Sequence, residues 1–215
     1  HLLKYNERVR IDGRDVSDEA LVEAFAEVER ARGDVPLTYF EHGTLAAWVA
    51  FCRAGLDAII LEVGLGGRLD AVNVFEPDCA IVTSVAMDHM DFLGDTREAI
   101  GFEKAGIFRA GRPAICSDPM PPASLVAHAE AIGARLWVTG RDFGFAGDQN
   151  QWAFWLAGGS RRGGLAYPAL RGTNQLLNAS AVMAACEAVR DILPVPMQAI
   201  RQGFMLVELP GRFQV

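Results

Sequence analysis

The sequence predicts an α/β fold, a mostly parallel sheet flanked by helices, with a β-hairpin appended. Three observations predict it. Uniformly apolar runs of strand length alternate with amphipathic stretches through the middle of the chain. The links between them are short, and one aromatic, glycine-punctuated segment breaks the alternation after Gly144.

In chain order, "VSDEALVEAFAEVERARG" carries Leu21, Phe25 and Val28 at helical spacing, opens on Ser17 with two acids behind it, and stops at Gly33. It reads as an amphipathic helix. After the turn "GDVP", "TYFEHGTLAAWVAFCRAG" gives a second, more apolar helix ended by Gly55. Residues 57–63 are too uniformly apolar for a half-exposed strand and are expected to form a parallel strand covered on both faces. "CAIVTSVA" reads as the next strand, and "GDTREAIGFEKAGIF" as a helix capped by Asp95 or Thr96 with Glu98 in its first turn. Strand "RPAICSD", helix "PPASLVAHAEAIGA" and strand "RLWVTG" continue the alternation. "QWAFWLAGGSRRGGLAYPAL" reads as the hairpin, "NQLLNASAVMAACEAVRDIL" as a long apolar helix, and the stretch from Pro194 onward as a short helix followed by a Pro-Gly break.

Composition sets outer limits. With 215 residues, 51% of them hydrophobic and 22% charged, the chain is globular in character. A formal charge of −7 and a pI near 5.1 give no basic field for a nucleic-acid backbone, and Arg161-Arg162 is the only close basic pair. No apolar run reaches the roughly 18 residues that span a bilayer, and "HLLKYNERVR" is not built like a signal peptide. Cys52, Cys79, Cys116 and Cys186 stand far apart in apolar surroundings, which predicts buried free thiols in a reducing cytoplasm. The chain opens on His1 rather than a methionine, and is expected to be a piece of something longer.

The stretch "LEVGLGGRLDAVNV" holds the densest chemistry. A dinucleotide fingerprint needs Gly-x-Gly-x-x-Gly between a strand and a helix. Gly64 and Gly66 fit, but Leu69 occupies the third position and no helix pattern follows. The more informative residue is Glu62, an acid at the carboxyl end of an expected strand. There it would either hold a hydrated Mg²⁺ beside nucleotide phosphates, or cap backbone amides and pair with Arg68. After the next strand, "SVAMDHMDFLGDT" brings Asp88, His89 and Asp91 to the same expected sheet edge, where His89 is either a metal ligand or a solvated loop residue. Lys104 lies in an otherwise apolar helix face, as a lysine snorkelling to water or as one held near metal and phosphates.

Together "HLLKYNERVRIDG", "TYFEHGTLAAWVAF", "EVGLGGRLDAVNV", "TSVAMDHMDFLGDTREAIGFEKAGIF" and "LPGRFQV" resemble, in order and at compatible spacing, successive motifs of the dihydrofolate synthase/folylpolyglutamate synthase family, ATP-dependent amide ligases related to the Mur ligases. The resemblance implies a P-loop NTPase-like Mur ligase central domain that uses ATP and Mg²⁺ to join L-glutamate to dihydropteroate or folates in the cytoplasm, as a monomer. It implies that Glu62 and His89 bind Mg²⁺ and that Lys104 is carbamylated, both a metal ligand and catalytic. It also implies that Asn178 and Arg212 contact ATP, and that Thr38, Tyr39, Phe40 and Glu41 with Leu69, Asp70 and Ala71 hold the pterin substrate.

Two departures qualify it. No GxxxxGK[ST] occurs in these residues, and Asn174 stands where the family often has histidine. Residues 1–209 are therefore expected to be the body of the ATPase domain without its phosphate loop, and 210–215 the start of a linker to a further domain. Taken alone, the chain is expected to be inactive. The rival readings are a Mur-type cell-wall ligase, a Rossmann dehydrogenase and a non-catalytic α/β fragment.

Overall fold

The computed structural model describes residues 1–87, 90–170, 172 and 174–209. The chain divides into two compact units, His1–Gly64 with Asp70–Val74, and Leu65–Leu69 with Phe75–Val215.

In the first unit a 3₁₀ turn (Tyr5–Arg8) leads into a two-stranded ladder, β1 (Arg10–Ile11) and β2 (Arg14–Asp15). Its turn is Asp12-Gly13, both with positive φ (51° and 75°), the two-residue turn that Asp-Gly favours. Helix α1 (Asp18–Arg32) is capped by the Ser17 hydroxyl, which accepts from the Ala20 amide. Helix α2 (Tyr39–Ala54) ends on Gly55 in the left-handed conformation. Both helices fall where the sequence places them. Ala24, Val28 and Ala46 form the α1–α2 seam, and Val9, Val16, Leu21, Ala50 and Phe51 a second cluster that also takes in Leu61.

The expected strand over 57–63 is not formed. The segment has no ladder partner among the described residues, and Ile60 is 92% exposed. An apolar run becomes a buried strand only when neighbouring strands take up its backbone groups, and periodicity says nothing about whether they are there.

The second unit holds the parallel sheet. Strands β3 (Ala80–Val82), β4 (Pro113–Cys116) and β5 (Arg135–Val138) lie in the order β3-β4-β5, all parallel. Between β3 and β4 run α3 (Met90–Leu93) and α4 (Arg97–Ala105), and between β4 and β5 runs α5 (Ala123–Ile132). Of the two expected caps for α4, Thr96 is the one used. Glu98 stands in the first turn of α4 as expected, and its carboxylate also accepts from the Ala123 and Ser124 amides at the start of α5, bonds that hold it below the usual carboxylate range.

Strand β4 is buried on both faces. Ala114 and Cys116 pack with Ile100, Phe108, Leu125 and Ala129 from the helical side. Ile115 packs with Phe143, Trp152, Phe154 and Leu165 and with helix α6 (Gln175–Ala188).

The expected hairpin is formed by β7 (Trp152–Leu156) and β8 (Arg161–Leu165), and β6 (Phe143–Gly147) pairs with β7 on its other side, so that the three make an antiparallel sheet of their own in the order β6-β7-β8 rather than an extension of the parallel one. Helix α7 (Met197–Leu206) closes the described chain and buries Phe204. No helix among the described residues is long and apolar enough to cross a membrane.

Candidate functional site

Thr38 and Glu41 form a reciprocal capping box at the start of α2. The Glu41 amide donates to Thr38 Oγ1 (3.3 Å) and the Thr38 amide to Glu41 Oε2 (2.7 Å). Phe40 faces Gly64, where a β-carbon would stand 2.9 Å from the ring. Asp70 holds the same loop, accepting from the Gly64 amide (2.9 Å) and the Val72 amide (3.0 Å) and so starting a 3₁₀ turn, Ala71–Val74. The structure thus brings Phe40, Gly64 and Asp70 together within the first unit. The expected substrate residues Thr38, Glu41 and Asp70 already carry local hydrogen bonds, whereas Tyr39 and Leu69 are largely exposed.

Glu62 is exposed, and among the described residues its carboxylate has no hydrogen-bond or ion-pair partner. In the second unit Arg68 pairs with Glu103. A hard, unengaged carboxylate suits Mg²⁺ by donor type. No group of three or more metal-ligating side chains forms among the described residues. His89 and Arg212 lie outside the described residues.

Lys104 sits half-buried in the last turn of α4, in the second unit, and its amine likewise has no partner among the described residues. Gly67 and Arg68, in the same unit, are pressed against this turn. The Arg68 amide donates to the Glu103 carbonyl (2.8 Å), and a β-carbon on Gly67 would lie 2.8 Å from that oxygen and 3.0 Å from the Lys104 carbonyl. A β-carbon on Gly106 would meet Arg68 Cα at 2.6 Å. Gly66, at φ 69°, is a glycine for its backbone conformation, whereas Gly67 and Gly106 are there for backbone approach.

Sequence reasoning missed Asp118. It is 4% exposed just beyond β4, and accepts from the Val85 amide (2.8 Å), Arg97 Nη2 (2.9 Å) and the Met120 amide (2.9 Å). Arg97 Nε in turn donates to the Val85 carbonyl (2.9 Å). Together they fix the exit of β3, the segment that leads toward Asp88 and His89 in the sequence. The signal was an acid directly after a fully apolar strand, in "ICSDP", where it reads as an ordinary turn.

Asn178 lies exposed in the first turn of α6, its amide bonded to the Asn174 carbonyl (3.0 Å) and its side chain unpartnered among the described residues. The thiols correct one expectation. Cys116 is buried and Cys79 and Cys186 are half-buried, but Cys52 is exposed, and all four are free.

Three parallel strands that alternate with helices and are covered on both faces define an α/β domain. Residues 19–142 match the Mur ligase middle domain, and the chain belongs to that family. It is 46% identical to the dihydrofolate synthase/folylpolyglutamate synthase of Escherichia coli K12 over all of its own 215 residues and 49% of the relative's. The structure of E. coli FolC in complex with DHPP and ADP superposes with a TM-score of 0.93 at 47% identity, over 100% of this chain and 50% of that one. The Yersinia pestis bifunctional enzyme complexed with AMPPNP and Mn ion gives 0.93 at 46%, over 100% and 50%. The chain therefore spans about half the length of the relatives it matches.

Proposed function

We propose that this chain is the body of the ATP-handling domain of a ligase that joins L-glutamate to dihydropteroate, to folates, or to both, in folate biosynthesis and one-carbon metabolism. The observation that carries the proposal is likeness along the entire chain to an enzyme whose structure holds DHPP and ADP. In this reading residues 1–209 are the domain body and 210–215 begin a linker, and the protein works in the cytoplasm as a monomer with small-molecule partners only. The acidic balance argues against nucleic acid as a partner.

Glu62 and His89 would hold Mg²⁺, which when bound neutralises phosphate charge as the γ-phosphoryl group moves to the substrate carboxylate. The amine of glutamate then attacks the acyl phosphate, forming the amide and releasing phosphate. The chain's own part is position and charge. Lys104 acts as its carbamate: the neutral amine adds to CO₂, an N–C bond forms, and one proton passes to solvent. A cation thereby becomes an anion able to ligate metal. Asn178 and Arg212 would orient the nucleotide. Phe40 with the loop of Asp70 would line the pterin side, supported by Thr38, Tyr39, Glu41, Leu69 and Ala71.

The test is glutamate ligation by the complete gene product. Lys104→Ala and Lys104→Arg are each expected to abolish it, because neither side chain can be carbamylated. Near-normal turnover in either variant refutes the role of Lys104. Activity on cell-wall nucleotides instead of dihydropteroate makes the protein a Mur-type cell-wall ligase.

A further inference from the structure

We infer that Arg68 is a positioning residue for Lys104, acting through Glu103 to fix the turn that carries the lysine; the inference rests on the carbamate reading above. The Glu103 carbonyl lies in the last turn of α4, where a helix leaves its carbonyls without internal donors, and the Arg68 amide satisfies it. The Arg68 side chain returns to the same residue. Its Nε lies 3.2 Å from both carboxylate oxygens of Glu103 and its Nη2 2.9 Å from Oε1, a two-pronged grip that a lysine could not make. The guanidinium carbon also stands 5.9 Å from the centre of the Phe102 ring.

Both residues immediately before Lys104 are therefore held by one arginine, and the backbone on either side of Lys104 is held by Gly67 and Gly106 at near-contact distance. The ion pair is open to water, with Arg68 44% and Glu103 19% exposed in their side chains. Its contribution to overall stability is therefore small, and its effect is geometric.

The choice of cations supports the same division of labour. Only two of the chain's 20 basic residues are lysines, Lys4 and Lys104. Arginine keeps its proton at any physiological pH and cannot add CO₂, so it can position without competing for the chemistry.

The experiment uses the complete gene product. Arg68→Ala, Glu103→Gln and the double variant are compared by two readouts. One is amide exchange at Ile107 and Phe108, whose amides donate to the Lys104 and Ala105 carbonyls. The other is the carbon-13 carbamate signal in labelled bicarbonate, assigned by its loss in Lys104→Arg. Each single variant is expected to speed exchange at these two amides about tenfold, with Ile100 unchanged, and to weaken the carbamate signal per folded molecule. The double variant is expected to be no worse than either single, because the two residues act as one unit.

Unchanged exchange and signal in folded Arg68→Ala overturn the inference, as does simple additivity. If Arg68→Ala does not fold, Glu103→Gln decides in the same way. A parent chain with no Lys104-dependent carbamate overturns the carbamate reading, and the exchange result then judges the positioning by itself.

Discussion

Gly67 and Glu103 meet backbone to backbone, so closely that a β-carbon on the glycine would stand 2.8 Å from the glutamate carbonyl oxygen. Because that neighbour is main chain, it cannot swing aside. Gly67→Ala is expected to cost about 1–3 kcal/mol, the usual range for overpacking. Gly163→Ala, which adds a β-carbon to open space, serves as the control and is expected to cost much less. Thermal midpoints compare the two, and equal values would show that the close approach is not constraining.

Asp118 is the acceptor for two backbone amides and one guanidinium behind the exit of β3. Asp118→Ala leaves three donors unsatisfied in a buried place and is expected to cost roughly 2–4 kcal/mol. Urea unfolding measures it, and a loss below half a kcal/mol would mean that water replaces the carboxylate without penalty. On the ligase reading proposed above, the same variant of the complete gene product is expected to lower glutamate ligation as well, since the segment it fixes leads to His89 in the sequence.

The thiols differ in access and in acidity. Burial pushes the Cys79 and Cys116 thiols up to about 11, and raises Cys186 in the same direction. Cys52 is exposed. A thiol-reactive dye at neutral pH is expected to label Cys52 quickly, with the others following only as the chain opens. Two or more fast phases before unfolding would contradict this.

The capping box of α2 should respond to acid. The Glu41 carboxyl sits below its ordinary value of 4.5 because it accepts from the Thr38 backbone amide. A group depressed in the folded state stabilises it above the unfolded value, and that contribution is lost as pH falls through the folded value. The start of α2 is therefore expected to fray only below about pH 4.5, with Thr38 amide exchange rising as the carboxyl is protonated. Glu41→Gln should flatten this dependence, and an unaltered profile in that variant would assign the effect elsewhere.

Much of this fold is legible in the sequence because helices signal locally. Ser17, Thr38 and Thr96 cap, Gly33 and Gly55 terminate, and the apolar spacing between them fixes the buried faces. Strands are less readable because they are relational. The run 57–63 has a strand's composition but no ladder partner among the described residues, whereas β6, with Gly144 and Gly147 in its five residues, becomes a strand only by pairing with "WAFWL". The candidate site divides in the same way. Glu62 and Lys104 stand out because an acid after an apolar run and a lysine on an apolar helix face are anomalies of type. The grip of Arg68 on Glu103 and the burial of Asp118 join residues far apart in sequence, and neither leaves a local signature.

The bare stretch 57–60 also governs how this polypeptide behaves as a substance. Exposed isoleucines, Ile59 and Ile60, outside any ladder among the described residues are a usual nucleus of intermolecular β association. Colloidal stability of the isolated chain thus hinges on a few residues beside Glu62. A preparation that keeps them solvated, or a charge introduced at Ile60, would set its working concentration more than anything in its core.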